Sequence, residues 1–504
     1  MLLLTLLAAG ISIGWFFVDG DVGINLADEG YLWYGTVALR QGQMPMRDFH
    51  AYDPGRYVWT AAWSFMLGQG LVSMRLACVF FQCLGLVAGL LAARRLSRNA
   101  VFLCSTALLL CIWMHPRYKV FEQSIALMSV YAGVLLLERP TLGRHFGVGL
   151  FGGFAAFMGR NHGAYHIAAF TLLIALTSWG NGWKIWWFRS VSWCGGLILG
   201  YLPQWLLFLL VPGYWKSFSA ELGTIVAKGT NLSASVPWPW LVSGGYPLWW
   251  QTMIVIERTF YIALPLFLVV AAIRILTLRR EGFARHPVFL AAACVALPYT
   301  HYVFSRPDSE HLAHGAPVMA LGTVAICFTF SRRWPQFGAV SSAMMLGASL
   351  LANIPHFGWF FALTSPPETV RRVSVRGEPV LMMDYHAHVL ASAQRLAEDY
   401  ARPDEPILFL PNLPGLYPFV GRSSPTRQIY FIFPASPEED RALLAEINAA
   451  GVQWVMLHDY ALDGRDDLRF RNTNPIVFAY LQKNFISVPV PTLPRDMTIW
   501  HRSK

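Results

Sequence analysis

Residues 101–139 read VFLCSTALLLCIWMHPRYKVFEQSIALMSVYAGVLLLER. Two apolar runs, 100–114 and 122–138, flank a polar mouth carrying His115, Arg117 and Lys119, and Arg139 closes the second run. A bilayer core is about 30 Å thick and is crossed by a helix of about 20 mostly apolar residues. The stretch therefore reads as a helical hairpin through a membrane, with its mouth on one side and Arg139 on the other.

The alternation extends in both directions. Further apolar runs at 2–18, 73–93, 146–160, 164–180, 190–211, 252–276, 287–304, 312–330 and 337–363 bring the total to about eleven spans. The 504 residues are 55% hydrophobic and only 13% charged, with a mean hydropathy of +0.42. Soluble domains carry roughly 25% charged residues, so the composition is that of a polytopic α-helical membrane protein. Alternate loops are basic: Arg94, Arg95 and Arg98; Arg139 and Arg144; Lys184 and Arg189; Arg279, Arg280 and Arg285; Arg332 and Arg333. Lys and Arg in short loops mark the cytoplasmic side. That register puts the N-terminus in the cytoplasm and the remaining loops, with everything after residue 363, outside the inner (cytoplasmic) membrane, on its periplasmic face. The net charge of +10 is thus an orientation signal, and no nucleic-acid partner is expected. All seven cysteines lie in apolar runs, with no zinc-ligand spacing. The first run lacks a basic leader and a small-residue cleavage site, so it reads as a retained helix.

Three outer regions then stand out from the transmembrane portion, 1–363. The first loop, 19–72, holds two short Trp- and Tyr-rich segments, 28–40 and 57–68, that suit helices lying in the membrane interface. The alternative for 57–68 is fusion with 69–93 into one tilted helix. The second loop, 212–251, mixes Pro, Gly and Trp (PWPW at 237–240) like an interfacial flap. Residues 364–504 alternate strand-like PILFLP (406–411), IYFIF (429–433), WVMLHD (454–459) and MTIWHR (497–502) with helix-like 383–401, 437–450 and 474–485, predicting an extracytoplasmic α/β domain. Ser436 and Glu439 form a capping box at the start of 437–450.

The outer mouths 114–123, 158–166 and 304–315 go against the charge trend, since they carry Arg117, Lys119, Arg160, His162, Arg306 and His311. Arginine forks match phosphate oxygens, and three such mouths converging on one cavity would hold an anionic headgroup whose tail lies in lipid. The bland reading is of snorkelling ends paired with Glu122, Asp308 or Glu310. Facing them in the topology is an acidic first loop with Asp28, Glu29, Asp48 and Asp53. Outside a membrane no nucleotide sugar is available, so a glycosyl transfer there uses a lipid-phosphate donor. Its acceptor hydroxyl needs a carboxylate base within about 3 Å. Asp28 is placed for that role; its bland alternative is a helix cap, and Asp53-Pro54-Gly55 reads also as a turn.

An Asp-Glu pair soon after the first helix, followed by a G-x-x-P-x-R-D-F…P-G-x-Y pattern over 42–57, resembles the membrane glycosyltransferases of the GT-C class. The likeness is to the bacterial branch similar to protein mannosyltransferases and lipid A aminoarabinose transferases. It is strong in the first third, extends through the helical middle by pattern, and is weak in the C-terminal domain. SRPDSEHL (305–312) and LPGLYPFVGRSSPTR (413–427) are similar to signatures of some bacterial members. The resemblance implies Asp28 as general base, Glu29 as its neighbour, Tyr57 and Arg75 as site residues, and a polyprenyl-phosphate-linked sugar as donor. Asp53 stands where that branch often has Lys. The implied reaction is inverting transfer of a hexosyl or pentosyl group to a hydroxyl of lipid, polysaccharide or protein. Arg117, Lys119, Arg160, Arg306 and His311 then take the donor phosphate, with Asp48, Asp53, Tyr57, Arg75 and His162 lining substrate. No cofactor is expected; a divalent cation at His301, Asp308, Glu310, His311 and His314 is the lesser reading of that His-x-x-His spacing. The alternatives are a transporter or flippase for a lipid-linked anion, which would be expected to show mid-bilayer charges or internal repeats, and a ligase acting on lipid-linked oligosaccharide.

Overall fold

The computed structural model describes residues 1–229, 231–242, 244–278, 280–330 and 335–503. Thr230 and Ser243 of the 212–251 segment, and the loop cations Arg279, Arg332 and Arg333, lie outside the described residues. The chain forms two compact units. One contains residues 1–20, 78–211 and 233–361; the other contains 21–77, 212–232 and 362–504.

The first unit is helical. All eleven apolar segments form helices, and seven of these helices are long and apolar enough to cross a membrane: Leu2–Asp19, Leu71–Ala93, Arg117–Glu138, Leu248–Thr277, Pro287–Ser305, Ser309–Thr329 and Gly338–His356. An eighth candidate is the pair Trp183–Gly200 and Leu202–Leu210, bent by 48° where Pro203 enters the second helix. The chain is therefore a multi-pass membrane protein. Ala100–Ile112 is only 13 residues long, Leu142–Met158 is 17, and Arg160–Ser178 opens on the polar run RNH. The run expected at 337–363 breaks after Asn353, because Pro355 lacks a backbone donor and disfavours helix at the residue before it.

Burial orders these helices. Ser309–Thr329 is 83% buried and central, whereas Leu2–Asp19 is 17% buried and presents Leu2, Leu3, Leu6 and Phe17 outward. Leu142–Met158 and Trp183–Gly200 touch backbone to backbone. A Cβ on Gly149 would fall 2.1 Å from the Trp193 carbonyl oxygen, and one on Gly196 would fall 2.1 Å from that of Phe146. Gly149/Gly153 and Gly196/Gly200 thus form two facing small-xxx-small stripes, the device by which helices associate where no hydrophobic drive separates lipid from side chain.

In the second unit, the helix Asp28–Arg40 runs as its sequence predicts, and Pro54–Leu67 is separate from Leu71–Ala93. Pro54 starts that second helix with its missing donor at an unbonded position, and Gly68 ends it at φ +93. A hairpin of β1 (Val370–Val375) and β2 (Glu378–Met383) pairs with the first loop through Val22 and Leu381. The remaining strands, β3 (Ile407–Leu410), β4 (Trp454–His458), β5 (Phe485–Ser487) and β6 (Met497–Arg502), form one sheet in the order β3-β4-β6-β5, with β3 and β4 parallel. The capping box at Ser436 and Glu439 is present. The strand expected at 429–433 does not form. The Phe431 amide donates to Pro411 O and to the Asn412 side chain instead of to a ladder, and Pro425 and Pro434 flank the segment.

Gly196→Leu is expected to lower the melting temperature of the detergent-solubilised protein by several degrees, since its side chain meets backbone. Gly147→Leu, on the open face of the same pair with nothing within 4 Å, serves as the neutral control. Equal melting of the two would refute the close-packed stripe.

Candidate active site

The first turn of Asp28–Arg40 sets two adjacent acids to different tasks. Neighbours on a helix point about 100° apart. Glu29, 1% exposed, meets Arg75 head-on: Arg75 Nε to Oε1 and Nη2 to Oε2 are both 2.7 Å, and Nη2 also donates to Gly23 O. The Asn25 amide donates to the same carboxylate at 3.3 Å. Asp28 points elsewhere and accepts a hydrogen bond from the Tyr430 hydroxyl at 2.9 Å. It does not cap its helix, because the Asn25 side chain accepts from the backbone of Ala27 and Asp28, both at 3.0 Å. Burial and the Asp28 charge push the Tyr430 phenol well above its ordinary value, so it stays a donor. The turn is also fixed from above: a Cβ on Gly30 would lie 2.5 Å from Gly415 N, and Gly415 N donates to Leu26 O. No bulkier pair of residues fits that approach.

The other residues of the first loop take structural positions. Asp48 grips Arg47 with both oxygens, at 2.7 and 2.8 Å, and that bond holds its carboxyl below the usual range. Asp53 is 7% exposed and precedes Pro54 in extended backbone. Tyr57 is fully buried against Gly35, and its hydroxyl accepts from Tyr52 N at 3.1 Å. Beside Asp28, buried Tyr31 donates to His50 Nδ1 at 2.5 Å. That leaves Nε2 to face Glu221 at 3.2 Å. Arg427 closes the network with Glu221 at 2.6 Å and Met46 O at 2.6 Å. Burial alone would raise Glu221, but His50 and Arg427 together hold it below the ordinary carboxylate value. The helix Tyr214–Lys228, the first loop and the C-terminal domain are thereby tied together within one unit.

The cationic mouths form a second cluster, in the first unit. Lys119 Nζ lies 3.6 Å from Glu310, which also accepts from Tyr118 at 3.1 and 3.2 Å. Arg306 and His311 share Asp308, through Nε at 2.9 Å and Nδ1 at 2.8 Å. Burial opposes ionisation of Asp308, yet the hydrogen bonds from His311 and Arg306 bring it down to about 2. Tyr302 packs on His311 and His314 and donates to Glu122 at 3.4 Å. His162 reaches the same aromatic patch through Tyr299, 2.9 Å from Nδ1. The three mouths therefore meet at Tyr299 and Tyr302. Arg117 turns away, to the carbonyl and carboxylate of Asp19, and Arg160 opens the helix Arg160–Ser178. Among the described residues, no three His, Cys, Asp or Glu are placed to hold a metal ion; His301 bonds Tyr165 instead. His314 is fully buried, with both ring nitrogens unpartnered among the described residues.

Tyr430 was not visible as a site residue, since IYFIF carries only a strand signal. Tyr302 likewise sits inside an apolar run with nothing local to mark it. His314 was visible only as a metal candidate, and Glu310 as that or as an ion-pair partner of the mouths.

ArnT from Cupriavidus metallidurans matches 98% of this chain, and 97% of its own, in both its apo state and its complex with undecaprenyl phosphate. The TM-scores are 0.53 and 0.54 at 12% and 14% identity. The archaeal oligosaccharyltransferase AglB from Archaeoglobus fulgidus, in complex with an inhibitory peptide and a dolichol-phosphate, matches all of this chain and 74% of its own, with TM-score 0.50 and 11% identity. The chain shares its overall fold with ArnT and AglB. No protein-family model and no curated protein matches the sequence. The likeness of fold extends over nearly the whole chain, and at this identity only architecture carries over.

Arg75→Ala would strip a buried carboxylate of its bidentate partner and is expected to destabilise the protein by about 3–5 kcal/mol. Thermal unfolding of the purified protein measures this. The double variant Glu29→Leu/Arg75→Met should recover most of the loss, and no recovery would mean that the pair is not the source of the effect.

Proposed function

We propose that the protein is an integral-membrane glycosyltransferase that moves a sugar from a polyprenyl-phosphate carrier to an acceptor hydroxyl on the extracytoplasmic face. The observation that carries this reading is the division of labour at the first turn of Asp28–Arg40: Glu29 is gripped bidentately by Arg75, while Asp28 is turned to the protonated phenol of Tyr430. The GT-C fold supports it, as do the carriers bound in the two neighbours, undecaprenyl phosphate in ArnT and dolichol-phosphate in AglB.

In the proposed reaction Asp28 accepts the proton of the acceptor hydroxyl as its oxygen attacks the anomeric carbon. The bond from that carbon to the carrier phosphate breaks, the electron pair leaves on the phosphate, and the new glycosidic bond forms with inversion. Glu29 is a positioning residue, holding the helix turn through Arg75. Tyr430 orients the Asp28 carboxylate. Lys119, Arg306 and His311, with Arg160 as a further cation, take the charge of the departing phosphate, whereas Arg117 is engaged by Asp19. The topology that goes with this reading has about eleven crossings, a cytoplasmic N-terminus and residues 364–504 outside, with the flap 212–251 beside the acceptor.

Asp28→Asn is expected to lower transfer by about 10² to 10⁴-fold while leaving binding of a polyprenyl-phosphate sugar intact. Transfer is read by mass spectrometry of envelope glycans and of lipid-linked sugars, and binding by tryptophan fluorescence. Near wild-type transfer by Asp28→Asn would remove the base assignment. Lys119→Ala should raise the donor concentration needed for half-maximal rate with a smaller change in the limiting rate, and an unchanged donor requirement would remove that residue from the phosphate side.

A further inference from the structure

The parallel pair β3–β4 ends with its carboxyl edge toward a second polar cluster that the reaction above does not use. In open α/β sheets ligands bind in the crevice beyond the carboxyl ends of parallel strands. Here those ends carry Asn412 after β3, and His458 with Tyr460 at and after β4.

His458 Nε2 donates to Asp496 Oδ2 at 2.8 Å, and the Tyr385 hydroxyl donates to the same oxygen at 2.9 Å. The His458 ring stacks on Tyr460 with centroids 4.4 Å apart. Tyr460 in turn accepts from the Asn412 side chain at 3.4 Å, and Asn412 Oδ1 accepts from Phe431 N at 2.9 Å. The residue before Phe431 is Tyr430, the partner of Asp28. One hydrogen-bonded and stacked line, inside a single compact unit, thus leads from Asp28 to Asp496.

The far end of that line is open. The Asp496 side chain is 51% exposed and Tyr385 is 37% exposed, while His458 beneath them is only 17% exposed. Both protein hydrogen bonds to Asp496 fall on Oδ2, and Oδ1 takes none among the described residues. A rigidly held carboxylate oxygen facing solvent, beside exposed aromatic faces, is suited to one ligand chemistry above others. The oxygen accepts from paired hydroxyls, and the carbon face of a pyranose packs on an aromatic ring. An acyl chain would have no use for the carboxylate, and a phosphate would be repelled by it.

We propose that this edge is the acceptor subsite and that the acceptor is a hydroxyl-rich saccharide, held by Tyr385, His458, Tyr460 and Asp496 and extending toward Asp28. The proposal rests on the transferase reading for its purpose, but binding tests it without turnover.

The probe is lipid-free envelope polysaccharide released by mild acid, titrated against the full-length protein in nanodiscs with intrinsic fluorescence as readout. Wild type should bind it. Asp496→Ala should bind at least about tenfold more weakly, as expected for loss of a charged hydrogen bond, with a melting temperature close to wild type. If Asp496→Ala unfolds, Tyr385→Phe keeps the ring, removes only the hydroxyl, and should still weaken binding severalfold. No binding by wild type, equal binding by the variants, or binding only to the lipid-anchored or peptide fraction would each overturn the proposal. Asp28→Asn separates the two readings: it should bind the saccharide normally while losing transfer. Were it to transfer normally, the base assignment would fall and the subsite would stand on its own titration.

Discussion

The Glu29–Arg75 pair is the constraint on which the acid side of the molecule depends. Both side chains are 1% exposed, and two charges are removed from water at a cost of several kcal/mol per ion that only close, bidentate geometry offsets. Such a pair contributes little net stability. What it supplies is orientation, because the short helix that carries Glu29 has no freedom to rotate without breaking both contacts. With Glu29 committed, the preceding residue must face away from Arg75, and Asp28 therefore meets Tyr430. The close approach of Gly30 to Gly415 serves the same end by a steric route, locking the turn from the opposite side. On the proposed reading Asp28 is a hydroxyl-activating carboxylate that has to be held in place, and its placement comes from its neighbour Glu29.

The same logic explains why a C-terminal domain is folded together with a loop that lies near the start of the chain. Val22 bridges to Leu381, Glu378 accepts from the backbone and side chain of Ser73, and Arg427 reaches Met46 and Glu221. Each contact joins segments hundreds of residues apart and each satisfies polar groups that would otherwise be exposed at a sheet edge or helix end. Residues 21–77 bury Tyr31, Leu32, Trp33, Phe49 and Tyr57 almost completely and share one compact unit with 212–232 and 362–504.

How much of this was legible in the sequence follows from which forces act locally. Helices were legible because an apolar run of 18 or more residues has few other fates, and the Asp28–Arg40 and 437–449 helices were marked by their own first turns. The break after Asn353 is also local, and Pro355 signals it. The failed strand at 429–433 shows the opposite case. IYFIF has the alternation of a strand, but the Phe431 amide is taken by Pro411 O and the Asn412 side chain instead of by a ladder. That tertiary decision is what makes Tyr430 available to Asp28, so the functional partner was hidden by the same nonlocal contact that created it. The hairpin β1–β2, which joins its own antiparallel register to a bridge with Val22, was also missed. At the site, Asp28 and the cationic mouths were visible as charges in unexpected places. Their partners, tyrosines in apolar runs, were not, because an aromatic in such a run is most often packing.

The pairing of the cations bears on how an anionic headgroup would be received. Lys119 rests near Glu310, and Arg306 and His311 on Asp308. Each of these cations is compensated by a carboxylate at rest. A carboxylate solves the resting state, and on the proposed reading it also sets the terms of exchange. A phosphate carrying two or three acceptor oxygens competes with each carboxylate for the same donors. Binding is then a redistribution of hydrogen bonds with a modest net gain, which suits a carrier that must leave after every turnover.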